Sequence, residues 1–381
     1  MLALASVAGA LAAPARADVL RVPEDHSTIQ AALDAAASWD AVLVAPGTWR
    51  ESLVLSGKTL TLASHFLVSG DPALIAATVI DGGGQSAVHV AADAGPATTL
   101  VGLTLRGGPG GDGISARGRF ALLDSRVVGS RDGIDYESGS GGLVQRCLFQ
   151  GNADDGIDLD GSVALRIEES VIAGNGNDGI EIRFHRHDAA PLEIAIVGNR
   201  IARNRGDGIQ LIGGEGPTQR ILRIEGNVIE ANGMAGLGMT CCMQTREDFQ
   251  GAPLPERVLL VGNTFLRNDH GASGGANLVA LNNLFVGTQR IALKRAAGRS
   301  IAAHNLFFAN GFDHFESYVD PRTTWLADPR LDAEGRPAPG SPALDAGAAV
   351  FDWRGERVLD LPPAAWRGSA PDLGAFEAGD P

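Results

Sequence analysis

The chain has 381 residues, 44% of them apolar, which is enough for one large core or two ordinary ones. Its net charge is -14 and its only lysines are Lys58 and Lys294, so nucleic acid and anionic lipid surfaces, which want a basic face, are excluded as partners. Three cysteines, Cys147, Cys241 and Cys242, supply neither a disulfide framework nor a zinc site, and the adjacent pair is expected as free thiols.

In chain order, Leu2 to Ala13 form a short apolar run, and Ala15-Arg16-Ala17 fits a small-residue cleavage site. Residues 1–17 are therefore expected to be a secretory signal peptide, too short to span a membrane. That places the mature chain outside the cytoplasm, in the periplasm or the extracellular space. Next, Ser27-Thr28-Ile29-Gln30 has capping-box spacing with Ser27 as N-cap, and Ile29, Leu33 and Ala36 share one helical face. A short helix is predicted over 27–38, covering the end of the body of the chain.

That body repeats itself. GDGISAR (111–117), RDGIDYE (131–137), DDGIDLD (154–160), NDGIEIR (177–183), GDGIQLI (206–212) and a faded MAGLGMT (234–240) share one pattern. Their glycines are Gly113, Gly133, Gly156, Gly179, Gly208 and Gly236, 20 to 29 residues apart. A second series runs in phase: Ser125, Cys147, Ser170, Asn199, Asn227, Asn263, Asn283 and Asn305 each precede an apolar pair. A polar turn residue stands five positions later, as at Asn152, Asn175, Asn204 and Asn232. Each unit holds short strands and turns with no room for a helix, and Asn and Gly suit left-handed corners. The period is too short for a propeller blade and lacks a leucine-rich pattern. A coil that stacks on its neighbour remains, a parallel β-helix with strands about 4.8 Å apart. The Ser/Cys/Asn series is then a structural hydrogen-bond ladder. The solenoid, with its N-terminal cap, is expected over 18–319. Residues 320–381 lose the repeat, are rich in Pro and Gly, and predict an irregular C-terminal cap. The fold class is all-β, with almost no helix beyond 27–38.

Aligning the repeats on their glycines puts Asp135, Asp158, Glu181 and Gln210 in one column, and Glu137, Asp160, Arg183 and Ile212 in the next. Asp132, Asp155, Asp178 and Asp207 form a turn column, to which a structural role is assigned, since Asp before Gly bonds its own turn. The strand acids have no such excuse, because Asp is disfavoured in strands. Carboxylates about 5 Å apart repel one another, so a cation sits among them or one acid keeps its proton. Asp135, Asp158, Asp160 and Glu181 are the expected metal ligands, with Ca²⁺ as a hard cation that takes carboxylate oxygens. Arg183, beside them, is either a catalytic base or a plain ion partner of Asp160. The insertion at 182–191 brings His185 and His187 to the same place, as base or ligand. The longer insertion at 240–257 is expected to form a second wall of the groove. Asp269-His270 and Asp313-His314 fall too far up the stack to join.

STIQAALDAAASWDAVLVAPGTW, KTLTL, TVIDGGG and the DGI repeats resemble the secreted right-handed parallel β-helix proteins of the pectate-lyase-like superfamily. DPRLDAEGRPAPGSPALDAGA and PDLGAFE resemble a C-terminal segment found in many of them. The resemblance covers nearly the whole mature chain and implies the fold. It leaves the reaction open, because that superfamily holds lyases, hydrolases, epimerases and esterases. RDGID and ADDGID also resemble polygalacturonase-type hydrolases, which would make Asp132, Asp154 and Asp155 the catalytic acids. Asn177-Asp178-Gly179, however, stands where that family has Gly-His-Gly, and its Arg-Ile-Lys element has no counterpart. The resemblance and the acidic columns together imply an exported monomer that cleaves or modifies a uronic-acid-containing polysaccharide by lyase or epimerase chemistry. A polygalacturonase-like hydrolase is one alternative. A non-catalytic surface or carbohydrate-binding solenoid is another.

Overall fold

The computed structural model describes residues 17–379 apart from Glu215 and Pro217; the expected leader, except its last residue, lies outside the described residues. Among the described residues, three long parallel sheets run side by side along the chain. Sheet A has 12 strands, from Val19–Val22 to Ile301–Ala303. Sheet B has 12, from Gly47–Trp49 to Trp325–Leu326. Sheet C has 11, from Leu53–Leu55 to Phe312–Phe315. Each coil gives one short strand to each sheet and pairs in parallel with the coils before and after it. This is the stacked solenoid expected from the repeat.

Period-two alternation puts one apolar residue of each strand inside. Ile134, Ile157, Ile180 and Ile209 from sheet C, Phe149, Ile172, Ile201 and Ile229 from sheet B, and Val144, Ile167, Ile196 and Ile224 from sheet A are all fully buried. Higher up, Phe265, Phe285 and Phe307 stack with ring centroids 4.8 and 5.1 Å apart. Each such side chain contributes about 1.5–3 kcal/mol by leaving water. One core runs the length of the coil.

The corners differ from expectation in an instructive way. The ladder residues Asn199 and Asn227 are not left-handed; the residue before each is, Gly198 at φ 65° and Gly226 at φ 63°. Lower coils tolerate Asp124, Arg146 and Glu169 at the same position. The DGI glycines are not left-handed either. A Cβ at Gly156 would lie 2.5 Å from the carbonyl oxygen of Gly179 in the next coil, so close stacking demands them.

The capping helix spans Ile29–Ala35 and buries Ile29, Ala32 and Leu33 against the first coil. Its N-cap is Thr28 rather than Ser27: the Thr28 hydroxyl accepts the Ala31 N–H at 3.2 Å. Glu51, from the next coil, accepts the Ile29 and Gln30 N–H groups at 2.9 and 3.0 Å, so no capping box forms. Beyond this segment the described residues hold little helix, as expected. Phe66–Ser69 and Ala73–Ala77 are short helices within one long connection, and Pro363–Ala365 is a 3₁₀ turn. The C-terminal segment lies along the flank of the last coils. Phe351, Trp353, Val358 and Leu361 pack on Leu259, Val261, Val279 and Leu281, which face outward from sheet A. No helix among the described residues is long and apolar enough to cross a membrane.

Candidate functional site

The outward positions of sheet C carry the acids. Asp135, Asp158, Glu181, Gln210, Gly238 and Ser273 pair in register up the stack, and Asp160, Arg183 and Ile212 form the neighbouring column. These are the predicted columns. A bare outer face would leave them solvated, yet Asp158 is 7% exposed and Glu181 1%. Two insertions flank this face. Residues 240–257 fold back over the upper part of the sheet: Ala252 donates its N–H to Met239 O at 2.9 Å, and Phe249 stacks on His270 at 4.5 Å. Residues 184–191 dock at the C-terminal ends of the strands. Arg220 lies over the Phe184 ring and donates to His185 O at 2.8 Å, while His187 Nδ1 sits 3.0 Å from Ser162 Oγ. What stays open is a mouth edged by Asp135, Asp154, Asp160 and His185.

Two groups of three carboxylates converge there, each with ligand oxygens within 4.8 Å of one another: Asp132, Asp154 and Asp155, and Asp155, Asp158 and Glu181. Of the expected metal ligands, Asp158 and Glu181 come together. Asp135 and Asp160 fall outside both groups, and Asp155 from the turn column completes the second. Asp135 lies 3.6 Å from Arg131 Nη2, and Asp160 lies 2.8 Å from Arg183 Nη1. Arg131 also reaches Asp112 and Asp132, at 3.0 and 3.1 Å. The structural role assigned to the turn column is present as well. Asp132 Oδ1 accepts the Asp155 N–H at 3.0 Å, and Asp155 Oδ1 accepts the Asp178 N–H at 2.7 Å. Each of these turn acids spends one oxygen on the next coil, and the other oxygen of Asp132 faces Arg131.

Burial is the main cause of the charge state. It lifts Asp158 to about 8, against the pull of Arg183. It lifts Asp155 to about 8, helped by the charge on Asp178, and Glu181 to about 9, helped by Asp155. Asp132 and Asp135 rise to about 6 for the same reason. Arg183 contacts three of these acids: Asp160, Asp158 at 3.5 Å, and Glu181. Burial works against its charge, but the acids outweigh it and hold its proton more firmly than usual. A guanidinium so held cannot accept a proton, which argues against the base role and favours the ion pair with Asp160. One arginine does not balance Asp155, Asp158, Asp160 and Glu181. Asp158 Oδ1 is buried without a hydrogen-bond partner. An all-oxygen, anionic donor set with an orphaned oxygen suits a hard cation such as Ca²⁺.

Of the histidines, His187 uses both ring nitrogens, on Ser162 and on Ala190 O at 2.9 Å. His185 is half-exposed at the mouth, its Nε2 4.0 Å from Asp160 Oδ1. Glu247, in the upper insertion, is a participant that sequence reasoning missed. It is 3% exposed and points down onto sheet C. Its segment has no periodicity, so only its acidity in an otherwise wall-like loop could have flagged it.

A family profile described as a right handed beta helix region matches residues 67–190. No curated protein matches the chain. Among solved structures, the pectate lyase Pel9A is 16% identical, with 94% of this chain and 96% of that one covered and a TM-score of 0.61. The A-module of the mannuronan C-5 epimerase AlgE4 from Azotobacter vinelandii is 18% identical, over 76% of this chain and 88% of that one, with a TM-score of 0.53. The protein is a right-handed parallel β-helix. At these identities the likeness defines the fold, and it is a fold shared with carbohydrate-active proteins.

Proposed function

We propose that the protein acts outside the cytoplasm on an acidic, uronic-acid-containing polysaccharide, as a lyase or epimerase. The observation that carries this reading is the buried trio Asp155, Asp158 and Glu181, which a cation would neutralise beside an open mouth. The likeness to a pectate lyase and a mannuronan C-5 epimerase supports it, as does the puzzle of charge: a chain at -14 repels a polyanion unless a cation bridges them.

Asp155, Asp158 and Glu181, with Asp132 and Asp154 alongside, are the residues that would hold Ca²⁺. Such a cation, when bound, neutralises a substrate carboxylate and makes the neighbouring C–H more acidic. Arg183, fixed by its three acids, presents a permanent positive charge toward the same carboxylate. His185, with its Nε2 4.0 Å from Asp160, takes the proton. In elimination the C–H electron pair forms a carbon–carbon double bond as the glycosidic oxygen leaves. In epimerisation the carbanion is reprotonated on the opposite face by water, while His185 keeps the proton it took. His187 holds the loop that carries His185.

The test is a screen of pectate, alginate and glycosaminoglycans with Ca²⁺ and with chelator. An ultraviolet-absorbing unsaturated end marks elimination, and a changed sugar stereochemistry without cleavage marks epimerisation. New reducing ends without the chromophore mean hydrolysis and transfer the weight to Asp132, Asp154 and Asp155. Binding without any product leaves the non-catalytic solenoid. His185→Gln should lower kcat by about 10²–10⁴-fold, as loss of a general base does, with calcium binding retained.

A further inference from the structure

One coil above the trio, the outward column is interrupted. Gln210 pairs with Gly238, and Gly238 with Ser273, so a residue without a side chain stands between two polar ones. Backbone conformation does not require glycine there, because its φ is outside the left-handed region. Space does. A Cβ at 238 would lie 2.2 Å from Asp207 Oδ2 and 2.2 Å from Glu247 Oε2. Asp207 reaches this point from the turn of the coil below, and Glu247 from the insertion above.

Both carboxylates are deeply buried, Asp207 at 0% exposure and Glu247 at 3%. Each spends one oxygen on backbone: Asp207 Oδ1 accepts the Ala235 N–H and Glu247 Oε1 the Phe249 N–H, both at 2.5 Å. The other oxygen of each has no hydrogen-bond partner. Nor do Gln210 Oε1, below the gap, and Ser273 Oγ, above it, although both residues are buried. Lys294, whose charge is felt at Glu247, gives its ammonium to Phe249 O instead.

We propose that Asp207 and Glu247, which meet over Gly238, form with the flanking Gln210 a second hard-cation site, separate from the Asp155/Asp158/Glu181 trio, whose occupant clamps the 240–257 insertion onto the solenoid. Asp207 Oδ2, Glu247 Oε2 and Gln210 Oε1 are buried acceptors without a donor, and with the Ser273 hydroxyl they suit a cation that takes six to eight oxygen ligands. Burial raises Glu247 to about 7 and Asp207 well above the usual carboxylate range, which is the cost a bound cation would remove. The proposal is independent of the reaction at the mouth.

Calcium alone, titrated calorimetrically into the full chain, tests it. Two sites are expected in the natural sequence. Glu247→Gln, nearly isosteric, should lose one, and so should Gly238→Ala, whose methyl fills the gap; Asp158→Asn should lose the other. In Asp158→Asn the melting temperature should still rise with calcium, and in Asp158→Asn/Glu247→Gln it should not respond. Circular dichroism confirms that each variant folds. An unchanged stoichiometry in both Glu247→Gln and Gly238→Ala overturns the proposal. A single site lost in Asp158→Asn but kept in Glu247→Gln overturns it and leaves the trio standing. The reverse pattern supports it and removes the trio. No uptake at about 10 mM calcium, beyond the weakest ordinary protein sites, overturns both.

Discussion

Two ladders climb this solenoid on the same pitch, and they behave oppositely. At one corner Asn199, Asn227, Asn263, Asn283 and Asn305 stack, each amide donating to the next side-chain oxygen at 2.9 to 3.0 Å. The spare N–H of Asn227 goes to Ile196 O at 2.8 Å. An amide has donors and an acceptor, so identical copies satisfy one another indefinitely. Beside sheet C, Asp132, Asp155, Asp178 and Asp207 stack in the same manner but can only accept. Each holds one backbone N–H of the next coil; the second oxygen of Asp132 needs Arg131, and that of Asp207 is left without a donor beside Glu247. A neutral ladder finishes as structure. A charged ladder of the same geometry is left needing protons or a cation, and that need is what makes a site.

The contrast can be broken from either side. The largest effect is expected for Asp155→Asn and Asp158→Asn, each of which removes a ligand of the trio. Turnover of the uronic polymer should fall by orders of magnitude, while the metal-free melting temperature should hold or rise because a buried charge is gone. A loss of folding with activity intact would invert the comparison. Next comes the neutral ladder. Asn227→Ala orphans groups above and below it and should cost about 3 kcal/mol in urea unfolding, with the rate per folded molecule unchanged. Asn227→Asp should cost more, since a carboxylate cannot donate to Asn263.

Acidity gives a subtler separation. The folded-state values of Asp132, Asp135, Asp178, Asp155, Asp158 and Glu181 are raised, from about 6 to about 9. A raised acid contributes stability that is complete below its unfolded value and is lost as pH rises through its folded value. In chelator, the melting temperature should therefore fall as pH goes from about 5 to 9. Calcium, which competes with those protons, should stabilise progressively more over the same window and flatten the decline. A chelated protein whose stability climbs with pH there would contradict the assigned burial. The smallest effect is expected at Glu137, which sits at the end of the same face, half-exposed and paired with Arg117 at 2.9 Å. Glu137→Gln should leave activity, calcium binding and melting temperature unchanged, because an acid that water reaches creates no need.

Much of this was legible in the residues. The DGI repeats set the pitch, and period-two alternation said which side chains face in, so spacing alone yields the columns Asp135–Asp158–Glu181–Gln210 and Asp160–Arg183. The Asn ladder was legible for the same reason: a repeat makes every contact between coils a contact between equivalent positions. Tertiary structure decided what repetition cannot encode. Alternation alone would have left Asp158 and Glu181 solvated, yet both are buried, with Arg183 held against them and Asp155 converging on them. Asp155 joined the trio because a turn residue and a strand residue of neighbouring coils converge, a meeting across columns that no alignment within a column reveals. Glu247 lies well beyond the last clear repeat and reaches Asp207 only because 240–257 folds back over Gly238. Local pattern determined the solenoid and the order of its charges, since each coil sees only its neighbours; which charges meet across columns, and which meet Glu247 of the aperiodic loop, was settled by the tertiary structure, because that loop is placed by the finished surface beneath it.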